Sequence, residues 1–231
     1  MNAFTTDSAL REIPWLLHGF GTRRFGEADL SALAAAHGLR PVLLGQIHSA
    51  AVLAVTDALP DGTPGDALIT DTPGLLLVIK TADCLPLFLV DEERRAIAAV
   101  HAGWRGTAIG IAAAAVAALR ERFDSRPGDL WAAMGPCIGP GCYEVGRDVA
   151  EPHPGRPEWG KALRPVAGSP DRFTLDLPAA NRARLEAEGV PASRISAAGV
   201  CTHCSPDLLS WRRDRRTDAR LYNFIGIRPK D

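Results

Sequence analysis

The sequence predicts an α/β (α+β) fold, in which mixed β-sheets are flanked by helices in a single domain over residues 1–231. Short apolar runs separated by Gly, Pro and Asp fill the region 42–101, which is the pattern of closely spaced strands. The runs at 75–79 and 96–100 are almost continuously apolar, as expected of central strands covered on both faces. A chain of 231 residues can bury one sizeable core, so we expect one domain.

The elements on either side of this centre follow from periodicity and from residues that begin or end helices. A strand is expected around Trp15 to Phe20, and then a helix that Asp29 caps and that ends after His37 at Gly38. The predicted central strands are VLLGQIH, AVLAVTD, DALIT, LLLVIKT, LPLFLVD and AIAAVH. After the segment HAGWRG we expect a helix up to Phe123, a strand over Leu130 to Met134, a helix over Asp176 to Glu188 and two final strands.

The region from Glu151 to Pro170 is dense in Pro, Gly and charge and has no periodicity, which predicts a surface loop. The longest apolar stretch, Thr107 to Leu119, is too short to span a bilayer. The first fifteen residues lack the features of a secretory signal, so we expect a cytoplasmic protein.

The charge composition argues against nucleic acid and anionic membranes as partners. The 26 basic and 27 acidic residues nearly cancel, and a basic field of the kind that attracts polyanions is missing. The run from Arg212 to Arg216 contains Asp214 and is read as an ion-pair cluster, with Arg212 or Arg213 as a pocket residue. A small-molecule substrate is the better expectation.

Three apolar strands end on side chains that bind metals: His48 in GQIHSA, Cys84 in KTADCLPL and His101 in AVHAGWRG. Two imidazoles and a thiolate suit zinc, with copper as an alternative, and three protein ligands leave one position open for water or substrate. Asp83 offers a carboxylate beside Cys84 that could orient a ligand or accept a proton. Arg105 follows His101 at a predicted helix start, where backbone N–H groups and a guanidinium favour phosphate or carboxylate.

Longer motifs carry a resemblance to a known family. The motifs are FGTR at 20–23, QIH at 46–48, DALIT at 66–70, ADCLP at 82–86, HAGWRG at 101–106, GPCIG at 135–139, CYEV at 142–145 and SWRRD at 210–214. With these the chain resembles the laccase-domain or multicopper polyphenol oxidase family, understood as zinc-dependent purine nucleoside phosphorylases with adenosine deaminase activity. The segment between Arg23 and Gln46 is shorter than is usual in the family, which bears on the wall of the substrate pocket.

The resemblance implies a function and a set of site residues. It implies that His48, Cys84 and His101 are the zinc ligands and catalytic residues. It also implies that Arg23, Gln46 and Arg105 bind the substrate or phosphate, and we group Asp83 with these substrate-binding residues. The substrates would be adenosine, inosine, guanosine or methylthioadenosine with phosphate, which give the base and ribose 1-phosphate. It also implies a fold like the cysteine-hydrolase-like fold of toxin deamidases, and it allows a homodimer with the active site near a subunit contact.

Three other functions stay open at this point. A copper-dependent, laccase-like polyphenol oxidase would suit the His₂Cys set, although six histidines in the whole chain are few for an additional multinuclear copper cluster. A metal-free hydrolase or amidase would use Cys84 as nucleophile and His101 as base. A non-catalytic module would use the same pocket to sense a nucleoside.

The remaining cysteines and His18 are read mainly as structural. Cys201 and Cys204 have the Cys-x-x-Cys spacing of half a zinc site or of a redox pair, but no second pair has a matching spacing, so a structural or incidental role is favoured. The resemblance to the family implies a place near the pocket floor for Cys201 and leaves Cys204 as an additional cysteine. Cys137 and Cys142 are expected to be packing residues, and His18 a hydrogen-bonded structural histidine.

Overall fold

A computed structural model describes residues 2–150, 157–215 and 219–229. The strands are β1 (Phe4–Thr5), β2 (Leu16–Gly21), β3 (Arg40–Leu43), β4 (Val52–Ala54), β5 (Ala67–Thr70), β6 (Leu75–Thr81), β7 (Leu85–Asp91), β8 (Ala96–Ala102), β9 (Leu130–Met134), β10 (Glu144–Gly146), β11 (Leu163–Val166), β12 (Ser169–Leu175), β13 (Ile195–Ala197) and β14 (Leu221–Ile227). The α-helices are α1 (Glu27–Ala36), α2 (Trp104–Ile109), α3 (Ile111–Phe123), α4 (Arg147–Ala150), α5 (Pro157–Lys161), α6 (Leu177–Ala187) and α7 (Trp211–Asp214).

Two mixed sheets form the centre of the molecule. One has the strand order β1-β2-β14-β6-β3, and the other has the order β13-β9-β7-β8-β5-β4. The pairs β3–β6, β4–β5 and β9–β13 are parallel, whereas the other pairs in these sheets are antiparallel. A small third sheet has the order β10-β12-β11. The predicted α/β fold with mixed sheets flanked by helices is thereby confirmed.

The side chains of each central strand alternate between two apolar layers, because successive residues of a strand point to opposite faces. In β6, Leu75, Leu77 and Ile79 face the other large sheet, whereas Leu76 and Val78 belong to the cluster that includes Leu30 and Ala34 of α1. In β7 and β8 the same alternation separates the layer between the sheets from the layer under α3 and α6. The strands at 75–79 and 96–100 are therefore covered on both faces, as predicted.

Two helix boundaries differ from the prediction. The first helix begins at Glu27, and its N-cap is Gly26; Asp29 lies in the first turn, where its carboxylate accepts a hydrogen bond of 2.9 Å from the Gly26 N–H. Asp29 stabilises the helix start from inside the helix because its side chain reaches back to the exposed N–H. The predicted helix that follows HAGWRG is two helices, since Gly110 adopts φ +87° between α2 and α3.

Two other predictions were too simple. The run predicted as a strand from Val42 continues β3 only as far as Leu43. Beyond it, Gly45 forms an isolated parallel bridge with Pro64, and His48 lies in the loop before β4. The predicted loop from Glu151 to Pro170 contains α5, β11 and the start of β12 in its described part; residues 151–156 lie outside the described residues. Charged strands at the surface, such as β12, show weaker apolar alternation than buried ones, which explains why the pattern was missed.

Among the described residues, no helix combines the length and apolar character that crossing a membrane requires.

Candidate metal centre and its cleft

The structure brings His48, Cys84 and His101 together, although they lie in three separate parts of the chain. His48 is in the loop between β3 and β4, Cys84 is in the turn between β6 and β7, and His101 is near the end of β8. One ligand atom from each residue lies within 4.8 Å of the other two. The backbones of His48 and Asp83 adopt positive φ angles of 60° and 86°, which few residues other than glycine do. The backbone is therefore strained at His48 and at Asp83, and in this conformation the side chains of His48 and Cys84 face His101.

Asp66 connects His101 and His48 through hydrogen bonds, although nothing in the sequence but the motif DALIT pointed to it. Its fully buried carboxylate accepts hydrogen bonds from His101 Nδ1 at 2.8 Å and from the His48 N–H at 2.9 Å. It also accepts from the backbone N–H and the hydroxyl of Ser49, at 2.6 and 2.7 Å. A carboxylate on Nδ1 fixes the ring of His101 and leaves Nε2 free for a metal, which is a common support of metal-binding histidines. A charged residue at the head of the apolar strand β5 was the signal that could have revealed it.

Gly103 makes room for the two ligands on the opposite side. A Cβ atom at this position would lie 2.8 Å from His48 Nδ1 and 3.0 Å from Cys84 Sγ. A Cβ atom essentially never comes within 3.0 Å of a non-bonded heavy atom, so a side chain at residue 103 would force His48 to shift and would crowd Cys84. The first glycine of HAGWRG is thus required by the site itself, besides its place as N-cap of α2.

The three ligand side chains and Asp66 share their charges. Burial alone would raise the pKa of Cys84, but the charges and hydrogen bonds of His101 and His48 outweigh it and lower that pKa to about 6. Burial disfavours the charged form of His101, yet the Cys84 thiolate and the Asp66 carboxylate raise its pKa to about 9. Burial acts against the charge of Asp66 as well, and hydrogen bonds from His101 and Ser49 still hold its pKa well below the usual range. The thiolate that a metal requires is therefore present at neutral pH.

The predicted substrate residues lie around the same cleft, and three of them form hydrogen bonds with other parts of the protein. Asp83 accepts hydrogen bonds of 2.6 Å from the Thr202 hydroxyl and from the Arg212 N–H. Gln46 binds the backbone of Lys80 through both atoms of its amide, at 2.7 and 2.8 Å. Arg23 donates to the Pro206 carbonyl at 2.8 Å, and the guanidinium of Arg105 lies 4.3 Å from the centre of the Trp104 ring.

The cleft above the ligands has a volume of about 880 Å³ and a strongly basic wall. Five of its lining side chains are cations, namely Arg23, Lys80, Arg105, Arg212 and Arg220, whereas Asp83 is its one lining carboxylate among the described residues. Five aromatic side chains also line it: Phe25, Trp104, Tyr143, Trp211 and Tyr222. Cations with aromatic faces suit a ligand that carries both an anionic group and a flat ring. Sequence reasoning did not assign Lys80, Arg220 or the aromatic residues to the pocket, because the segments that carry them are far apart in sequence and meet only in the fold.

The predictions for His18, for the arginine run and for Cys137 agree with the structure. His18 is structural, as expected: its Nε2 accepts a hydrogen bond of 2.9 Å from the Asp7 N–H, outside the cleft. Arg213 forms an ion pair of 2.7 Å with Asp214, and Arg212 lines the cleft, as predicted; Arg216 lies outside the described residues. Cys137 is buried in the core, as predicted.

The prediction that Cys142 is a packing residue is wrong, because Cys142 is only partly buried and does not pack in the core. Its Sγ lies 3.3 Å from that of Cys204, and the imidazole of His203 belongs to the same group. Cys204 therefore has a contact that its Cys-x-x-Cys spacing did not predict. The contacting residue is a single cysteine, Cys142, which lies 62 residues away in the sequence. A ligand from another loop has no fixed spacing, so a search for a second Cys-x-x-Cys pair could not find it.

Fold and site together define an α/β protein with a His₂Cys metal-binding group at the end of a basic, aromatic cleft. The sequence matches the family model described as multi-copper polyphenol oxidoreductase laccase over residues 26–228, and the chain belongs to this family. It is similar to the protein named purine nucleoside phosphorylase YlmD from Geobacillus stearothermophilus, with 38% identity over 209 residues that cover 82% of this chain and 73% of that protein. A purine nucleoside phosphorylase from Deinococcus radiodurans is 41% identical over 186 residues, which cover 80% of this chain and 69% of the relative.

Solved structures show the same architecture. The hypothetical protein YfiH from Bacillus licheniformis has a TM-score of 0.87 at 29% identity, covering 99% of this chain and 100% of that one. The structure of YlmD from Geobacillus stearothermophilus gives a TM-score of 0.84 at 33% identity, with coverage of 99% and 100%. The likeness to toxin deamidases stays a prediction.

Proposed function

We propose that this chain is a purine nucleoside phosphorylase that uses a zinc ion held by His48, Cys84 and His101. The substrates would be adenosine, inosine, guanosine or methylthioadenosine together with phosphate. The observation that carries the proposal is the cleft, which combines cations, aromatic faces and a metal-binding group in one volume of about 880 Å³. The similarity to relatives named purine nucleoside phosphorylases supports it as well.

The residues present fit a zinc ion. Three donor atoms lie within 4.8 Å of one another, Cys84 is a thiolate at neutral pH, and Asp66 leaves one nitrogen of His101 free. A zinc ion held there would supply Lewis-acid chemistry to an oxygen of the substrate. Copper would suit the same donors, and metal analysis of the purified protein separates the two.

The chain's own residues would bind and orient the substrates. In phosphorolysis an oxygen of phosphate forms a bond to the ribose C1′, the bond between C1′ and the purine nitrogen breaks, and the base leaves with a proton. We assign the phosphate to the guanidinium of Arg105 at the start of α2, helped by the other cations of the wall, because a guanidinium binds phosphate with two parallel hydrogen bonds. The base would stack on the aromatic residues of the cleft, with Tyr143 and Trp211 on its wall.

The positions of Asp83 and Gln46 suggest roles in orienting their neighbours. Asp83 would hold the turn that carries Cys84, through Thr202 and Arg212, and Gln46 would hold the chain before His48 against Lys80. Deamination of adenosine, in which water adds to the purine carbon and ammonia leaves, belongs to the same proposal as a second reaction of the site. The single domain, the homodimer and the cytoplasmic location stay predictions.

The test incubates the purified protein with adenosine, inosine or methylthioadenosine, with and without phosphate, while its metal content is measured. We expect release of the base only with phosphate, together with ribose 1-phosphate from adenosine or inosine and 5-methylthioribose 1-phosphate from methylthioadenosine. Ammonia should be released from adenosine with or without phosphate. Arg105→Ala should raise the KM for phosphate about tenfold or more, since it removes a charge-assisted contact. Arg40→Ala is the matched control, because Arg40 pairs with Asp57 at the exposed surface and lies outside the cleft. Silence with all three nucleosides contradicts the proposal.

A metal-free hydrolase is the second candidate, and one observation favours it. Cys84, His101 and Asp66 form a chain in which the carboxylate orients the imidazole and the imidazole faces a thiolate, as in nucleophilic cysteine enzymes. Such an enzyme would keep its activity after treatment with a chelator and lose it on alkylation of Cys84. Loss of activity on chelation, with recovery on adding zinc, excludes this candidate.

A further inference from the structure

A second group of metal-binding side chains lies outside the catalytic ligands, where two loops meet. Cys142 ends the short 3₁₀ turn Pro140–Cys142, and His203 and Cys204 lie in the loop between β13 and α7. One ligand atom each from Cys142, His203 and Cys204 lies within 4.8 Å of the other two, and the two sulfur atoms are 3.3 Å apart. Side chains from these two loops do not meet at one point for core packing, since all three are partly or fully exposed.

Cys201 lies beside this group, although it is not among the three residues whose ligand atoms lie within 4.8 Å of one another. Its Sγ accepts a hydrogen bond of 3.1 Å from the Gly139 N–H, and it also receives the backbone N–H groups of His203 and Cys204. Its thiol interacts with those of Cys142 and Cys204. Backbone N–H groups that point at a sulfur atom favour the thiolate, which is the form that binds metals. The spacing of Cys201 and Cys204 is that of a ligand pair in zinc sites.

We propose that Cys142, Cys201, His203 and Cys204 bind a zinc ion in a second site. Three thiolates and one imidazole form a closed tetrahedral set without an open position, which is typical of structural zinc sites and not of catalytic ones. Binding releases the protons of the thiols and converts them to ligands.

The proposed site lies next to residues that form one wall of the substrate cleft. Tyr143, next to Cys142, lines the substrate cleft, and Thr202, next to Cys201, donates its hydroxyl to Asp83 beside Cys84. A zinc ion would fasten the two loops that carry these residues, and so hold one wall of the cleft. Within the described residues, the main backbone link between the two loops is at Cys137 and Cys201, where the Thr202 N–H donates to the Cys137 carbonyl at 3.0 Å.

The experiment measures zinc per chain by mass spectrometry of the metal after gel filtration in a reducing buffer with added Zn²⁺. We expect about two zinc ions per chain for the unmodified protein and about one for both Cys142→Ser and Cys84→Ser, because each variant empties a different site. His37→Gln, which changes a histidine outside both groups, should retain both ions. Cys204→Ser gives a second test at an exposed position if Cys142→Ser fails to fold.

The two sites are also distinguished by spectroscopy. In Co²⁺-substituted Cys84→Ser protein, absorption from thiolate-to-metal charge transfer should persist, and Cys142→Ser should weaken it when added to that background. One zinc ion per chain that Cys84→Ser removes entirely would overturn the proposal. So would a chain lighter by about two hydrogen masses with a peptide that links Cys142 to Cys204, because those thiols would then form a disulfide. Neither result bears on phosphorolysis at the first site.

Discussion

The two groups of metal-binding side chains differ in what holds them. His48, Cys84 and His101 are fixed by a buried carboxylate, by strained turns and by a glycine that leaves no spare space. Cys142, His203 and Cys204 are partly or fully exposed side chains on two loops, and the Gly139 N–H donates to the sulfur of the neighbouring Cys201. A site that must present an open position to a substrate needs support from the core, whereas a closed structural site is completed by its own metal.

Removing a ligand should separate the two groups most strongly. Cys84→Ala should lower the rate of phosphorolysis by about 10³-fold or more, because a catalytic metal loses its thiolate ligand. Cys204→Ala should lower it by less than about tenfold, through a looser cleft wall, as measured by steady-state kinetics with inosine and phosphate. Equal losses in the two variants would show that the division into catalytic and structural groups is wrong.

Thiol reactivity in the metal-stripped protein should differ in the same direction. The pKa of Cys84 is lowered to about 6, so its thiolate forms as the pH rises through 6 and its alkylation rate should level off near pH 7. For Cys142 the Cys204 thiol and burial raise the pKa to about 12, so its rate should still be rising at pH 9. Iodoacetamide labelling followed by peptide mass spectrometry should give a difference of about 10²-fold at pH 7. The same dependence of the alkylation rate on pH for Cys84 and Cys142 would contradict this expectation.

The carboxylate beneath the first group should matter more than the one beside it. Asp66→Asn should weaken zinc binding by roughly 10- to 100-fold, because His101 loses its anionic partner. Asp83→Asn should leave zinc affinity within about threefold and lower kcat, since Asp83 contacts Thr202 and Arg212 and not a ligand ring. Competition with a zinc chelator measures both affinities. A larger effect of Asp83→Asn would reassign the supporting role.

The glycines of the two regions offer the finest comparison. Gly103→Ala should weaken zinc binding by several-fold to about tenfold, because its Cβ would lie 2.8 Å from His48 Nδ1. Gly141→Ala, beside Cys142, should change neither metal content nor thermal stability noticeably, since nothing lies within 4 Å of the added atom. Zinc titration and thermal unfolding of the two variants check both expectations. Unaltered zinc binding in Gly103→Ala would mean that the loop can yield.

Much of the fold follows from local pattern. The strand at Leu130–Met134 was predicted with its observed bounds, and the helix at Leu177–Ala187 lies within the predicted range Asp176 to Glu188. Continuous apolar runs also placed β6 and β8 in the middle of the sheets, because only a doubly covered strand tolerates them. Boundaries failed where a residue acts from within a helix, as Asp29 does, or where Gly110 divides one pattern into two helices.

By itself, the sequence determined most of the strands, the main helices and the choice of His48, Cys84 and His101 as candidate metal ligands, because each rests on a local pattern or motif. The structure places His48 in a loop beyond β3 and not at a strand end. Tertiary structure alone decided that Asp66 joins His48 to His101, that Gly103 must lack a side chain, and that Cys142 meets Cys204. These contacts join residues from strands and loops far apart in sequence. Their distances depend on how two sheets pack and how loops cross between them, and no local period records that.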